Sequence, residues 1–450
     1  MGKTGLLKAM RLTYQAGKMT RQERALLQRQ RLEQLVLHAK HFSPYFSNLY
    51  SSVKGGFELT DLPPTTKAEL MVHFNDWLTD RSVTEQDVNH FTDNLDNIGR
   101  KLKGRYLVNT TSGSTGNPAV VLYDETTMNV VSAIALMRAI ARRQDFAAFL
   151  KKGKKTAGLF VDGGFYLGCG TVRYNQLRRP WKKDQIIVDV RQPLEVIVNQ
   201  LNDFQPVMLG GYPTALELLI GEQQQGNLAI SPVLIMTGGE HLSDSVREEL
   251  KETFGCHVQT NYSCTEAGTI ACECSEGRLH INEDWIIVEG VDADFQPVPN
   301  GQLAEKLLIT NLFNWTQPFI RYELTDRAVI HGDLCKCGKT TKWLELEGRT
   351  DEILNFNNGR KVAPLTLVSL LGDIKEIQRF QLIQHSTEQL ELRLLADQKQ
   401  AAFELAKKTL EAYFAKQGIT AEVFLSEKLP EIHPKSGKFK HIYSLSLKTM

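Results

Sequence analysis

No stretch of this 450-residue chain reaches the roughly 18 consecutive apolar residues of a membrane-spanning helix. The opening MGKTGLLKAMRLTYQAGK lacks the apolar core and cleavage site of a secretory leader, so a cytoplasmic location is expected. Charge of one sign is also missing. Lys plus Arg number 53 and Asp plus Glu 52, a formal net charge of +1. That leaves no overall electrostatic footprint for a nucleic-acid binder, and neither helix-turn-helix nor zinc-finger spacing is present. Seven cysteines, an odd number and partly in close pairs, suit a reducing compartment where thiols serve as core residues or metal ligands. With 42% hydrophobic and 23% charged residues and no internal repeat, the composition excludes a disordered or fibrous chain.

The length argues for a large domain plus a smaller one. The first hundred residues read as helix and loop, with Leu32, Leu35, Val36 and Ala39 at helical spacing before Pro44. Thr66 stands where it can cap a helix opening at Lys67. From Thr156 to Glu266 short apolar runs (AGLFV, QIIVDV, VMLGG, VLIMTGG, HVQTNY) alternate with helical stretches such as 242–254, the pattern of an α/β sheet. After Gly268 longer strands are expected in IIVEGV, EKLLITNL and FIRYELTDRAVI, read as antiparallel, with Asn300-Gly301 as a turn between two of them. A break near Glu347-Gly348-Arg349 divides the chain into a large unit, 1–348, and a small α+β unit, 349–450. Within the latter a helix is expected from 399 to 417, with Gly418 as its left-handed cap. Basic clusters at Lys151 to Lys155 and at Arg178, Arg179, Lys182 and Lys183 read as a solvated surface or a patch for phosphate or an acidic partner.

Four stretches carry chemistry. Ser112, Gly113, Ser114, Thr115 and Gly116 follow a strand-like run and offer amides and hydroxyls to phosphate oxygens, without the closing lysine of a Walker loop. Gly238, Gly239 and Glu240, and then Asn261, Tyr262, Cys264, Thr265 and Glu266, follow strands of the α/β region, where ligands collect. An aromatic there can stack on a base, and Glu266 is a hard oxygen donor for Mg²⁺. Asp326 can accept both hydroxyls of a ribose and Arg349 can reach sugar or phosphate, although a surface ion pair explains either stretch taken alone. Lys438 sits in a glycine loop, Pro434 to Lys440, that presents a cation suited to an α-phosphate, or else simply solvated charge.

In this order the stretches resemble the core motifs of the adenylate-forming superfamily, which includes acyl-CoA synthetases and adenylation domains. The phenylacetate-CoA ligase-like branch is the most similar, sharing LPPTTKAEL, Gly211-Tyr212-Pro213, LHINED and the Cys-x-Cys-Gly before Gly-Arg-Thr-Asp. The resemblance spans about residues 30 to 445. It implies an α/β fold with a large multi-sheet N-terminal domain and a small mobile C-terminal domain. It further implies an enzyme that activates a carboxylic acid, aryl or arylacetic, with ATP and Mg²⁺ to acyl-AMP and passes the acyl group to CoA. Loading of an acyl carrier protein through its pantetheine arm and a catalytically silent nucleotide-binding homologue are the alternatives, and a homodimer is compatible with either. By the resemblance, Ser112 to Gly116 hold the pyrophosphate end of ATP. Glu266 ligates Mg²⁺ beside Tyr262, and Gly238, Gly239 and Glu240 line the adenine and acid pocket with Asn261 and Thr265. Asp326 and Arg349 hold the ribose, Asp351 is the hinge, and Lys438 is the adenylation lysine. Two departures stand out: Ala119 where many members carry lysine, and Leu324-Thr325-Asp326 for the usual Thr-Gly-Asp. The acid pocket is expected from residues 160–170 and 208–242, with Phe160, Phe165, Tyr166 and Leu209 suggesting an apolar acid.

Cys272, Cys274, His280, Cys335 and Cys337 carry the ligands zinc prefers. A structural zinc on Cys274, His280, Cys335 and Cys337, with Cys272 as the substitute, is one reading, and unmetallated thiols are the other. Cys169, Cys256 and Cys264 read as inert thiols.

Overall fold

The periodic run Leu32, Leu35, Val36 and Ala39 is buried on a helix Arg21–Phe42, which Thr20 opens with a capping box to Glu23. Pro44 both ends that helix and begins the next, Pro44–Leu49, where Ser43 caps and the ring occupies the first turn. Thr66 accepts from the Glu69 amide at the start of Lys67–Val72, as its position predicts. The computed structural model describes residues 4–111, 118–179, 181–349, 354–357, 360–362, 364–372, 374–432 and 439–445.

The centre is a ten-stranded sheet built from β1 (Thr156–Phe160), β2 (Gln185–Asp189), β3 (Met208–Gly211), β4 (Leu234–Thr237), β5 (His257–Cys264), β6 (Gly268–Glu273), β7 (Leu279–Ile281), β8 (Leu303–Ala304), β9 (Asp326–His331) and β10 (Trp343–Arg349). Their spatial order is β8-β9-β10-β7-β6-β5-β4-β3-β1-β2. The first five are mutually parallel, with helices Leu167–Arg178, Leu194–Phe204, Pro213–Gln224 and Asp244–Phe254 as crossovers. Their near-continuous apolar character follows from burial: Ala157, Leu159, Val188, Leu209, Leu216, Ile235 and Leu250 form one core. From β5 onward all pairings in this sheet are antiparallel.

Two expectations of continuity need correction. FIRYELTDRAVI is not one strand: Tyr322–Leu324 joins a three-stranded sheet with Ile286–Val291 and Lys306–Asn311, while Asp326–His331 is β9 of the large sheet. Thr325 is the point at which the chain changes sheets. Asn300-Gly301 does turn, with Gly301 at φ +85°. It leads into β8, however, whereas Ile286–Val291 and Lys306–Asn311 pair directly with each other across the intervening segment.

The stretches that carry the resemblance also do structural work. Thr65 of LPPTTKAEL bridges in parallel to Tyr322, and its amide donates to the Arg321 carbonyl at 2.9 Å. Arg321 is buried, donates to the Leu62 carbonyl at 2.5 Å and pairs with Glu289 at 3.1 Å. LHINED anchors the N-terminal helices. Asp284 takes two bonds from Arg138, at 2.6 and 3.0 Å, Glu283 pairs with Arg24, and Arg31 lies 3.8 Å over the Trp285 ring while donating to the Asp284 carbonyl. Desolvation dominates Arg31 and pushes its pKa down to about 10.

Beyond β10, strands Glu422–Leu425, Gln389–Leu395, Arg379–Ser386 and Ile442–Ser444 form a four-stranded sheet in that order. A helix Lys399–Lys416 packs on it through Ala402, Phe403, Ala406, Leu410 and Phe414, and Gly418 follows at φ +65°. These residues share a core of their own, distinct from the two cores of the preceding chain. Among the described residues, no helix is long and apolar enough to cross a membrane.

Candidate active site

The register of the parallel strands aligns their carboxyl ends. Phe160 stands beside Asp189, Leu159 beside Gly211, Gly211 beside Thr237 and Thr237 beside Thr260. Phe160, Tyr212, Gly238 to Glu240 and Asn261-Tyr262 therefore gather at one edge, where open α/β sheets bind ligands. Gly239 has φ +81°, a left-handed conformation that a side chain would strain. The Phe160 and Tyr212 rings meet edge to face at 5.6 Å. Of the residues expected in the acid pocket, Leu209 is fully buried between sheet and helices, and Phe165 is buried against Phe91 in the large core that also holds Tyr262 and Tyr322. Alternation along β3 explains the first, because Leu209 and Gly211 share a face turned into the interior.

The run HVQTNY, expected as a strand, is β5, which continues two residues further to Cys264. The strand carries Tyr262 to Asp326 at the start of β9, and the phenol donates to the carboxylate at 2.8 Å. Backbone pairing sets Arg349 opposite Asp326. Just past β5 the Glu266 carboxylate is buried, and Oε1 accepts from the Tyr322 hydroxyl at 2.9 Å. Burial, with the Glu266 charge beside it, pushes the Tyr322 pKa well up, so this phenol remains a donor. The carbonyls of Glu266 and Thr265 are held by Asn311 Nδ2 at 2.9 Å and the Tyr123 hydroxyl at 2.7 Å. Burial likewise pushes Cys264 well above the ordinary thiol range, and Cys169 and Cys256 up to about 11 and about 12. None is a poised thiolate.

Glu240 joins distant parts of the chain. It accepts from the Thr214 hydroxyl at 2.7 Å and from the Phe439 amide at 2.7 Å. Arg379 lies 4.1 Å over the Phe439 ring, which also meets His441 at 4.8 Å. Glu217, on the helix that begins at Pro213, faces Arg379, and burial pushes its carboxyl up to about 7. Sequence reasoning missed Thr214, Glu217, Arg379 and Tyr322. Tyr322 alone had a local signal, since it lies inside FIRYELTDRAVI, the run that also carries Asp326.

Ser112, Gly113, Ser114, Thr115, Gly116, Asp351 and Lys438 lie outside the described residues. Flanking the first group, Thr111 and Ala119 exchange bonds: the Thr111 amide donates to the Ala119 carbonyl at 2.9 Å, and the Thr111 hydroxyl accepts the Ala119 amide at 2.8 Å. Ala119 is buried, so it presents no surface position for a phosphate cation.

Cys274, His280, Cys335 and Cys337 converge, their ligand atoms all within 4.8 Å of one another. Cys274 Sγ lies 3.8 Å from Cys335 Sγ, and Cys337 Sγ lies 3.4 Å from His280 Nε2. Metal–ligand lengths of about 2.3 Å for sulfur and about 2.0 Å for nitrogen give tetrahedral edges of about 3.8 and about 3.5 Å, so the donor set fits zinc. Thr341 Oγ1 lies 2.9 Å from His280 Nδ1, which leaves Nε2 for the metal. Burial holds the imidazole in its neutral, ligating form, with a pKa down to about 4. Cys272 is turned elsewhere, accepting from Asn282 at 3.7 Å.

The family described as AMP-binding enzyme matches residues 53–300. The phenylacetate-coenzyme A ligase of Thermus thermophilus is 26% identical over 374 residues, 79% of this chain and 77% of that protein. Protein CapK of Staphylococcus aureus is 26% identical over 258 residues, 56% of this chain and 54% of that one. The crystal structure of 2-hydroxyisobutyryl-CoA ligase in the postadenylation state with 2-HIB-AMP superposes with a TM-score of 0.71 at 18% identity. It covers 96% of this chain and 91% of that one.

Proposed function

The chain belongs to the AMP-binding enzyme family, and from that premise we propose how its residues divide the two half-reactions of an AMP-forming acid–thiol ligase. The enzyme joins a carboxylic acid to ATP, giving acyl-AMP and pyrophosphate, and then passes the acyl group to the thiol of CoA with release of AMP. The observation that carries the residue assignment is the gathering of Tyr262–Asp326, Tyr322–Glu266 and Phe439–Glu240 around the carboxyl edge of the parallel strands.

Asp326, oriented by the Tyr262 hydroxyl, accepts the ribose hydroxyls, with Arg349 on the paired strand as its partner. Gly238, Gly239, Asn261, Tyr262 and Thr265 bound the adenine, and Ser112 to Gly116 take the pyrophosphate end. Glu266 would hold Mg²⁺, which would offset the negative charge of the nucleotide phosphates. Tyr322 fixes one oxygen of that carboxylate and so aims the other. Glu240 anchors the segment that carries Lys438, whose ammonium then stands at the α-phosphate and stabilises the charge that develops as carboxylate attacks.

The acid is apolar, aryl or arylacetic, and lies against the Phe160–Tyr212 ring pair. CoA is the acceptor, with a carrier pantetheine as the second candidate thiol. Residues 1–348 and 349–450 act as two bodies with Asp351 as hinge, a division that the separate core of the C-terminal segment supports. A structural zinc on Cys274, His280, Cys335 and Cys337 ties the ends of β6, β7 and the 335–337 turn. Seven free thiols support a reducing, cytoplasmic setting.

Separate assays of the two half-reactions test the assignment. Lys438→Ala is expected to lose adenylation while keeping most thioester formation from supplied acyl-AMP. Equal loss in both would contradict it.

A further inference from the structure

Two basic runs that are separate in sequence become one surface in the fold. Lys151, Lys152, Lys154 and Lys155 end immediately before β1, and Arg178, Arg179, Lys182 and Lys183 end immediately before β2. The two strands are neighbours, with Thr156 paired to Gln185 and the Thr156 amide donating to the Asp184 carbonyl at 2.8 Å. Both runs therefore sit at the amino ends of β1 and β2, and all eight cations are exposed. Lys155 reaches the Phe204 carbonyl at 3.0 Å and Arg178 lies over Tyr174. Among the described residues, the carboxylate paired within the patch is Asp184, 3.8 Å from Lys182.

The patch is also apolar. Trp181, between the two pairs of cations, is 75% exposed, Leu177 is 52% exposed, and Leu150 at the edge of the lysine run is 43% exposed. An indole and two aliphatic side chains projecting among lysines and arginines match the chemistry of an interface that is anionic on its surface and apolar just beneath. Stacking on nucleic-acid bases would use the indole but not the leucines. A carrier protein would need to bring its thiol to the carboxyl ends of the strands, whereas this patch lies at their amino ends, a strand length of about 16 Å away at roughly 3.3 Å per residue.

We infer that this face docks the enzyme peripherally on an anionic lipid surface, with Trp181 at headgroup depth and the flanking cations on lipid phosphates. The attachment is independent of the chemistry at the opposite edge.

Sedimentation of the full chain with vesicles tests this, using phosphatidylcholine alone and phosphatidylcholine containing about one quarter phosphatidylglycerol. The anionic vesicles are expected to bind at least about tenfold more tightly, and binding should fall as salt rises from about 0.05 to about 0.3 M. Charge reversal (Arg178→Glu, Arg179→Glu, Lys182→Glu and Lys183→Glu together) should abolish binding. Trp181→Ala should weaken it about three- to tenfold at unchanged charge. Acid-dependent pyrophosphate release by both variants should match the parent, reporting an intact fold. Equal binding to neutral vesicles, no binding to either, or binding that survives charge reversal overturns the inference. So does retention of duplex DNA or an acidic protein, independent of Trp181, with anionic vesicles left unbound.

Discussion

The backbone amide of Phe439 donates to the Glu240 carboxylate at 2.7 Å, joining positions 199 residues apart. Phe439 directly follows Lys438 in the sequence, and its ring is covered by Arg379, so the role proposed for Lys438 makes Glu240 a positioning residue for adenylation. Glu240→Ala removes the acceptor. Misplacing a reacting group by about 1 Å costs on the order of 10²-fold, so adenylation should fall by about that factor. Thioester formation from supplied acyl-AMP should change far less. A variant with parental pyrophosphate release would show that Glu240 does not position the lysine.

Tyr322→Phe deletes the hydroxyl that holds Glu266 and nothing else. A buried carboxylate loses a donor, a change worth about 1–3 kcal/mol of stability, readable as a lowered Tm. Because the lost bond also orients a proposed metal ligand, the Mg²⁺ needed for half-maximal pyrophosphate release should rise about tenfold. Lower stability with an unchanged Mg²⁺ requirement would leave the pair structural only.

Much of this architecture was legible in local pattern. Alternating apolar runs and helices announced the α/β sheet, the cap at Thr66 obeyed its side chain, and short Cys and His spacings pointed to the four residues that meet around one point. What failed was non-local. FIRYELTDRAVI reads as a single strand because nothing in its composition marks Thr325 as a change of sheet. Leu209 and Phe165 are apolar whether they line a pocket or fill a core, and only the face each presents decides between the two. Glu217 and Arg379 lie far apart in sequence, so neither carries any mark of the other.

Purified enzyme should contain about one zinc per chain, measured by elemental analysis. Cys335→Ser/Cys337→Ser should abolish it and lower the Tm, because metal binding to a tetrahedral thiolate–imidazole site is coupled to folding. Metal-free protein with unchanged thermal stability would remove the zinc site.

Glu217 gives a pH signature. Its carboxyl is raised by burial from 4.5 to about 7 in the folded chain, so between those values the folded state binds the extra proton. Its contribution is therefore fully present below about pH 4.5 and is lost as pH rises through about 7. Glu217→Gln, which never ionises, should raise Tm relative to the parent at pH 8.5, with the difference shrinking as pH falls and vanishing below about pH 4.5. The full shift corresponds to at most about 3 kcal/mol, and residual solvent contact lowers it. A pH-independent difference would contradict the assignment.

The ligase reaction itself is read from acid-dependent release of pyrophosphate from ATP and Mg²⁺, across aryl, arylacetic and fatty acids with and without CoA. Release is expected with aryl or arylacetic acids, and multiple turnovers to the thioester and AMP only when CoA is present. Release that is indifferent to the acid, or none with any acid from protein that binds ATP, would contradict that expectation.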